Sequence, residues 1–151
     1  IGGVKGRSTM RAIGIILLTV FGLMAPASAT AMSGYLWKKR PLVVFAPSEG
    51  NQNLAQQRAT VAGNRGGFAE RDMVIVYVVG DSVSSDLGGG PGLSASALRG
   101  RYGVASGSFR AVLVGKDGGS KLSSGSPFPS STLFNTIDAM PMRADEMRRR
   151  K

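Results

Sequence analysis

Two stretches of the chain are apolar almost without interruption: Pro41 to Ala46, and Met73 to Val79, which directly follows Asp72. Short runs of this kind, rich in Val and bounded by turn residues, predict strands buried on both faces. Between them, Gln52 to Ala62 spaces Leu54, Ala55, Arg58, Ala59, Val61 and Ala62 as a helix with one small apolar face, which Gly63, Gly66 and Gly67 should end. A helix of crossover length between two buried strands predicts that they run parallel. Gly80 to Gly92 is polar and glycine-rich and predicts a mobile loop, followed by a short helix over Leu93 to Tyr102 that Gly103 stops. Phe109 to Val114 reads as a third strand and Ser120 to Ser124 as a fourth, joined by the Asp117-Gly118 hairpin signal. After the Pro127-Phe128-Pro129 break, Ser130 or Ser131 can cap a last helix whose face is Leu133, Phe134, Ile137 and Met140. Pro141 interrupts that helix, and Met142 to Lys151 reads as a charged helical or frayed tail. Ahead of the first strand, Leu36 and Trp37 are expected to pack on the domain edge. The expected order is β-α-β-α-β-β-α, an α/β three-layer sandwich around a four-stranded mixed sheet.

The front of the chain is patterned differently. From Met10, one basic residue (Arg11) precedes an apolar run from Ala12 to Met24 and then Ala25-Pro26-Ala27-Ser28-Ala29. A charged start, a short apolar core and a small-x-small site are the parts of a secretory signal peptide. The apolar run falls short of the roughly 20 residues that a spanning helix needs. Residues 10–29 are therefore expected to be a signal peptide, cleaved after Ala29 or after Ala31, with residues 1–9 upstream of the true start. The mature form is expected in the periplasm or secreted, with no membrane span left after cleavage. Its domain is expected over residues 34–142, with a basic tail over 143–151.

Composition narrows the chemistry. The 151 residues contain no cysteine and no histidine. That removes thiol nucleophiles, disulfides, the soft and imidazole metal ligands, and the side chain that ordinarily titrates near neutral pH. Neither a metal nor a cofactor is expected. The formal charge is +10, and losing Lys5, Arg7 and Arg11 with the leader takes it to +7. A basic exported domain suits an anionic partner, here an envelope protein or an anionic surface rather than nucleic acid.

The strand and helix order resembles the thioredoxin-like fold, and Tyr102-Gly103-Val104, a strand and Lys116-Asp117-Gly118 resemble a run of thioredoxins. A closer resemblance lies in Pro41 to Pro47 (PLVVFAP), Val76 to Asp81 (VYVVGD), Leu98 to Val104 (LRGRYGV), Gly115 to Leu122 (GKDGGSKL) and Leu133 to Arg148 (LFNTIDAMPMRADEMR). Together these resemble the bacterial branch of the domain of unknown function 4174 family, also called P-DUDES, over nearly all of the mature chain. GKDGG and the IDAMPMRxxEM pattern are its specific parts. The resemblance implies a thioredoxin-like fold with distant kinship to peroxiredoxins. It would place a redox cysteine between the first strand and first helix, where Ala46 to Asn51 carries none, and a proline in the loop at Ser106 to Arg110, which has none. Peroxidase or disulfide chemistry through a cysteine of this chain is excluded.

Candidate residues follow. Ser48 stands where the nucleophile would, yet no histidine can act as its base, and Lys38, Lys39 or Lys116 would have to assist. Asp81 ends the second strand at the edge where ligands of open α/β sheets collect. With Ser48, Glu49 and Arg110 it could line a cleft; equally, it could cap its own turn. Glu49, Asp81 and Asp86 could offer oxygen ligands to a hard cation, although no loop spacing such as that of an EF-hand is present. Gly88 to Gly92 lacks the Lys-Ser/Thr ending of a phosphate loop. Arg143, Arg148, Arg149, Arg150 and Lys151 outnumber Asp145 and Glu146 and could adhere to an anionic surface, or be a solvated end. Two functions are expected: a non-catalytic exported binding module, or an enzyme or peroxide-response-linked protein using carboxylates and hydroxyls of the cleft.

Overall fold

The computed structural model describes residues 32–89 and 92–151. The expected leader, its cleavage points and residues 1–9 lie outside the described residues. Among these, no helix is long and apolar enough to cross a membrane.

The fold is mixed α/β. Five strands, β1 (Arg40–Ala46), β2 (Met73–Val79), β3 (Ser82–Asp86), β4 (Arg110–Val114) and β5 (Ser120–Ser124), form one sheet in the order β3-β2-β1-β4-β5. Among the described residues five helices accompany it: α1 (Gln52–Ala62), α2 (Arg65–Glu70), α3 (Ala95–Tyr102), α4 (Ser130–Asp138) and α5 (Pro141–Arg149). A 3-10 turn over Ser33–Tyr35 precedes β1. β1 and β2 pair in parallel from Arg40↔Met73 to Ala46↔Val79, whereas β4 runs antiparallel to β1 and β5 to β4.

The uninterrupted apolar runs have the expected cause. Every residue of β1 and β2 is buried, because both faces of the sheet centre are covered. Leu42, Val44 and Ala46 with Met73, Ile75 and Tyr77 look to one side, where Leu54 and Val61 of α1, Phe68 of α2, and Leu133 and Ile137 of α4 meet them. Val43, Phe45, Val74, Val76 and Val78 look to the other, against Tyr35 and Ala95 and Leu98 of α3. The Asn51 side chain caps α1 by accepting from the Leu54 N–H at 3.1 Å. Gln57 is fully buried on α1, and its amide both donates to the Phe128 carbonyl (3.1 Å) and accepts from the Phe128 N–H (2.7 Å). That reciprocal pair ties the proline break to the first helix and satisfies polar groups that burial would otherwise penalise.

Four expectations need correction. The sheet has five strands, not four: β3 occupies the stretch read as a mobile loop. Val79 pairs with Ser82, so Gly80-Asp81 is a two-residue hairpin, with Gly80 at φ +57° in the left-handed region. The serines hide the strand because it lies at an edge, with no residue buried and no need for apolar side chains. Gly63 to Gly67 does not simply end a helix but admits α2. Any side chain at Gly67 would strike the Phe134 ring at 2.7 Å, so its glycine serves close packing. The boundary expected between residues 142 and 143 falls inside α5, which Pro141 opens as a helix-starting residue. Finally, Trp37 does not pack on the edge: it is 64% exposed.

Candidate functional site

The residues expected to line a cleft share one end of the sheet. The Ala46↔Val79 pairing puts Ser48 and Asp81 just beyond the C-terminal ends of β1 and β2, and the Phe45↔Arg110 pairing puts Arg110 beside that end. Sharing an end is all they do, since no hydrogen bond or ion pair joins Ser48, Glu49, Asp81 and Arg110 to one another. Ser48 is exposed in the bend after β1, and its carbonyl accepts from the Asn51 N–H at 3.2 Å. Glu49 is held by Arg58 (Nη1–Oε2 2.6 Å), whose hydrogen bond draws its pKa below the ordinary carboxylate value. The Arg110 Nη1 donates to the Ser123 Oγ at 2.9 Å, and Asp81 is an exposed hairpin residue. Asp86 pairs with Arg65 at the far end of β3. About 17 Å of extended strand therefore separates Asp81 from Asp86, too far to share one ion. Among the described residues no group of three acidic side chains is placed to hold a metal. Lysine assistance to Ser48 has no geometry either, since Lys38 and Lys39 precede β1, at the opposite end from Ser48.

The opposite end is built of charge. Arg40, at the head of β1, is 1% exposed; it donates to the Arg71 carbonyl (2.9 Å) and through both terminal nitrogens to Glu146 of α5 (3.1 and 3.2 Å). Lys116, in the β4–β5 hairpin, bridges Asp72 (2.8 Å) and the same Glu146 (2.6 Å). Arg143, also 1% exposed, donates to Asp138 (3.3 Å) and to both the carbonyl and the carboxylate of Glu70 (3.1 Å each). Arg71 closes the set with two bonds to Asp138 (3.0 and 2.8 Å) while its guanidinium lies 4.1 Å from the Phe134 ring centre. Four cations thus face four carboxylates. Burial pushes the Glu146 carboxyl up, but the hydrogen bonds and charges of Arg40 and Lys116 outweigh it and hold the pKa below the ordinary value. Asp138 is likewise held low, first by its hydrogen bond from Arg71. Both stay ionised at neutral pH. They clamp α4 and α5 to the sheet rather than offer a proton, for a general acid needs a pKa near the working pH.

This hub escaped the sequence reading, although a signal existed. Lys116 lies in GKDGG, while Asp138, Arg143 and Glu146 lie in IDAMPMRADEM, the two fragments most specific to the resemblance. Their spacing fits no single helix face because the chain breaks at Ala139 and Met140, between α4 and α5.

The basic cluster is accordingly divided. Arg143 leaves it for the interior. Arg148, Arg149, Arg150 and Lys151 remain exposed at the end of α5, with Arg148 paired to Asp145 and Arg150 donating to the Glu70 carbonyl at 2.9 Å. Beside them, two open depressions meet at Lys116 and Met142. One, of about 230 Å³, includes Arg40, Lys121 and Met140; the other, of about 180 Å³, includes Trp37, Glu146 and Arg149.

No solved structure matches the chain. A family model does, and its span from residue 31 to 146 takes in every member of the charged hub while stopping short of the exposed basic end. On that match, the chain belongs to the family described as domain of unknown function (DUF4174).

Proposed function

We propose that this chain is an exported, non-catalytic binding module on a thioredoxin-like scaffold, docking on an anionic surface through a rigidly held basic end. The carrying observation is that α5 is clamped by two of its own side chains, Arg143 and Glu146, so Arg148 to Lys151 project from a fixed helix end. Basic residues in a fixed array near an anionic surface act together, each worth about 1 kcal/mol next to anionic lipid. The sheet supports the scaffold reading: without the edge strand β3, its order is β2-β1-β4-β5, with one parallel and two antiparallel pairs. On that scaffold the segment after β1 is where a thiol would stand, and Ser48 there has neither a cysteine nor a histidine to work with.

Catalysis by the cleft residues is the weaker reading. Glu49, the cleft carboxylate held by Arg58, has its pKa drawn down by that hydrogen bond rather than raised toward neutrality. The test replaces Arg148, Arg149, Arg150 and Lys151 by serine and measures co-sedimentation with vesicles containing phosphatidylglycerol. Association should weaken about tenfold or more and lose much of its salt dependence. Equal association by both proteins would remove the basic end from the function.

A further inference from the structure

Trp37 is the only tryptophan of the chain, and it stands in solvent. Leu36 (37% exposed) and Met142 (38%) are the other large apolar side chains exposed among the described residues, and all three gather around the Lys116 hairpin. The Trp37 N–H donates to the Lys116 carbonyl at 2.7 Å. A Leu36 methyl sits so near Gly118 that a side chain there would meet it at 2.9 Å. Trp37 and Met142 line one depression together with Lys116 and Arg149. Exposed apolar groups scattered singly need no explanation, but a convergent set marks an interaction surface. The backbone points the same way. Trp37 adopts φ +63°, the left-handed region that a bulky L-residue rarely enters, and the turn holds it there while leaving its ring outside.

We propose that this face seats on an anionic lipid bilayer, with Trp37, Leu36 and Met142 entering the headgroup boundary and Lys38 and Arg149 meeting lipid phosphates. The inference rests on the reading of the basic end as an anionic-surface contact, which Arg149 joins physically to Trp37. Three side chains protruding from an open face suit a deformable bilayer, which asks for no complementary shape. An indole, apolar with one polar edge, belongs at that boundary. Charge complementarity is local as well. Of the carboxylates at the depression, Asp145 is paired with Arg148 and Glu146 with Arg40 and Lys116, leaving Arg149 to set its sign, while exposed Lys38 directly follows Trp37 in the chain.

The single tryptophan is its own reporter. The full chain is mixed with vesicles of phosphatidylcholine alone, with vesicles containing phosphatidylglycerol, and with polyglutamate, and Trp37 emission is followed with and without bromine-labelled acyl chains. The expected result is a blue shift and bromine quenching with the anionic vesicles only, and a loss of about fivefold in partitioning for Lys38→Ala. Met142→Glu, at an exposed position, should reduce the shift without altering the fold. Co-sedimentation with an unmoved Trp37 spectrum would overturn this inference and leave the basic end standing. Absence of any association would remove both. An equal shift with neutral vesicles, or a shift with polyglutamate alone, would overturn the choice of an anionic bilayer.

Discussion

The two ends of the sheet use their polar residues in opposite ways. At the head of β1, Arg40, Lys116, Arg143 and Glu146 come from distant parts of the chain, are mostly buried and each find a partner of opposite charge, Arg143 on Glu70 and Asp138 and the other two cations on Glu146. At its tail, Ser48, Glu49, Asp81 and Arg110 are near one another in the topology, yet each turns to a local partner or to water. Polar residues become an organised site when burial forces them to find partners, because an unpaired buried charge is far more costly than an exposed one. Proximity at a sheet edge supplies no such force.

Breaking the buried end should have the largest effect. Glu146→Ala strands Arg40 and Lys116 without their shared carboxylate, and it is expected to cost roughly 3–5 kcal/mol in a urea or thermal unfolding measurement. A loss below about 1 kcal/mol would mean that the hub screens itself like a surface pair. Acid should reveal the same end next. Asp138 and Glu146 have folded pKa values below their ordinary 3.8 and 4.5, so their contribution is fully present above those values. It is lost as pH falls through the lower folded values. The unfolding midpoint should therefore hold from neutrality to about pH 5 and drop below about pH 4, with a shallower drop in the Glu146→Ala protein. Flat stability down to pH 3 in the wild type would remove the hub from the account.

The open end should respond less. Asn51→Ala removes the α1 cap and is expected to cost about 1 kcal/mol. Asp81→Ala and Ser48→Ala should each change stability by less than about 0.5 kcal/mol, as exposed substitutions do. If Asp81→Ala proved as costly as the loss of the cap, the hairpin would be structural and the contrast between the ends would narrow. If either variant abolished a measurable activity at unchanged stability, the catalytic reading of that end would return.

Much of the sheet was legible from pattern. β1, β2, β4 and β5 declare themselves by buried apolar runs or by the Asp117-Gly118 turn, because a strand covered on both faces cannot afford polar residues. β3 could not be read that way: Ser82 to Asp86 is an edge, and only the Gly80-Asp81 pair signalled its hairpin. The basic end was legible as a charge run, but Arg143 within it was not distinguishable from its neighbours. Its place depends on Glu70, 73 residues away, and on Asp138, across a helix break.

By itself, the sequence determined that these 151 residues carry no thiol or imidazole, where the central strands lie, and the family the chain resembles, since composition and short-range periodicity need no folding to be read. Only the tertiary structure decided which charges are interior and which face outward, and that its single tryptophan stands beside the basic end. Those outcomes depend on contacts between residues far apart in the chain, and a charged side chain looks the same in sequence whether burial has paired it or water surrounds it.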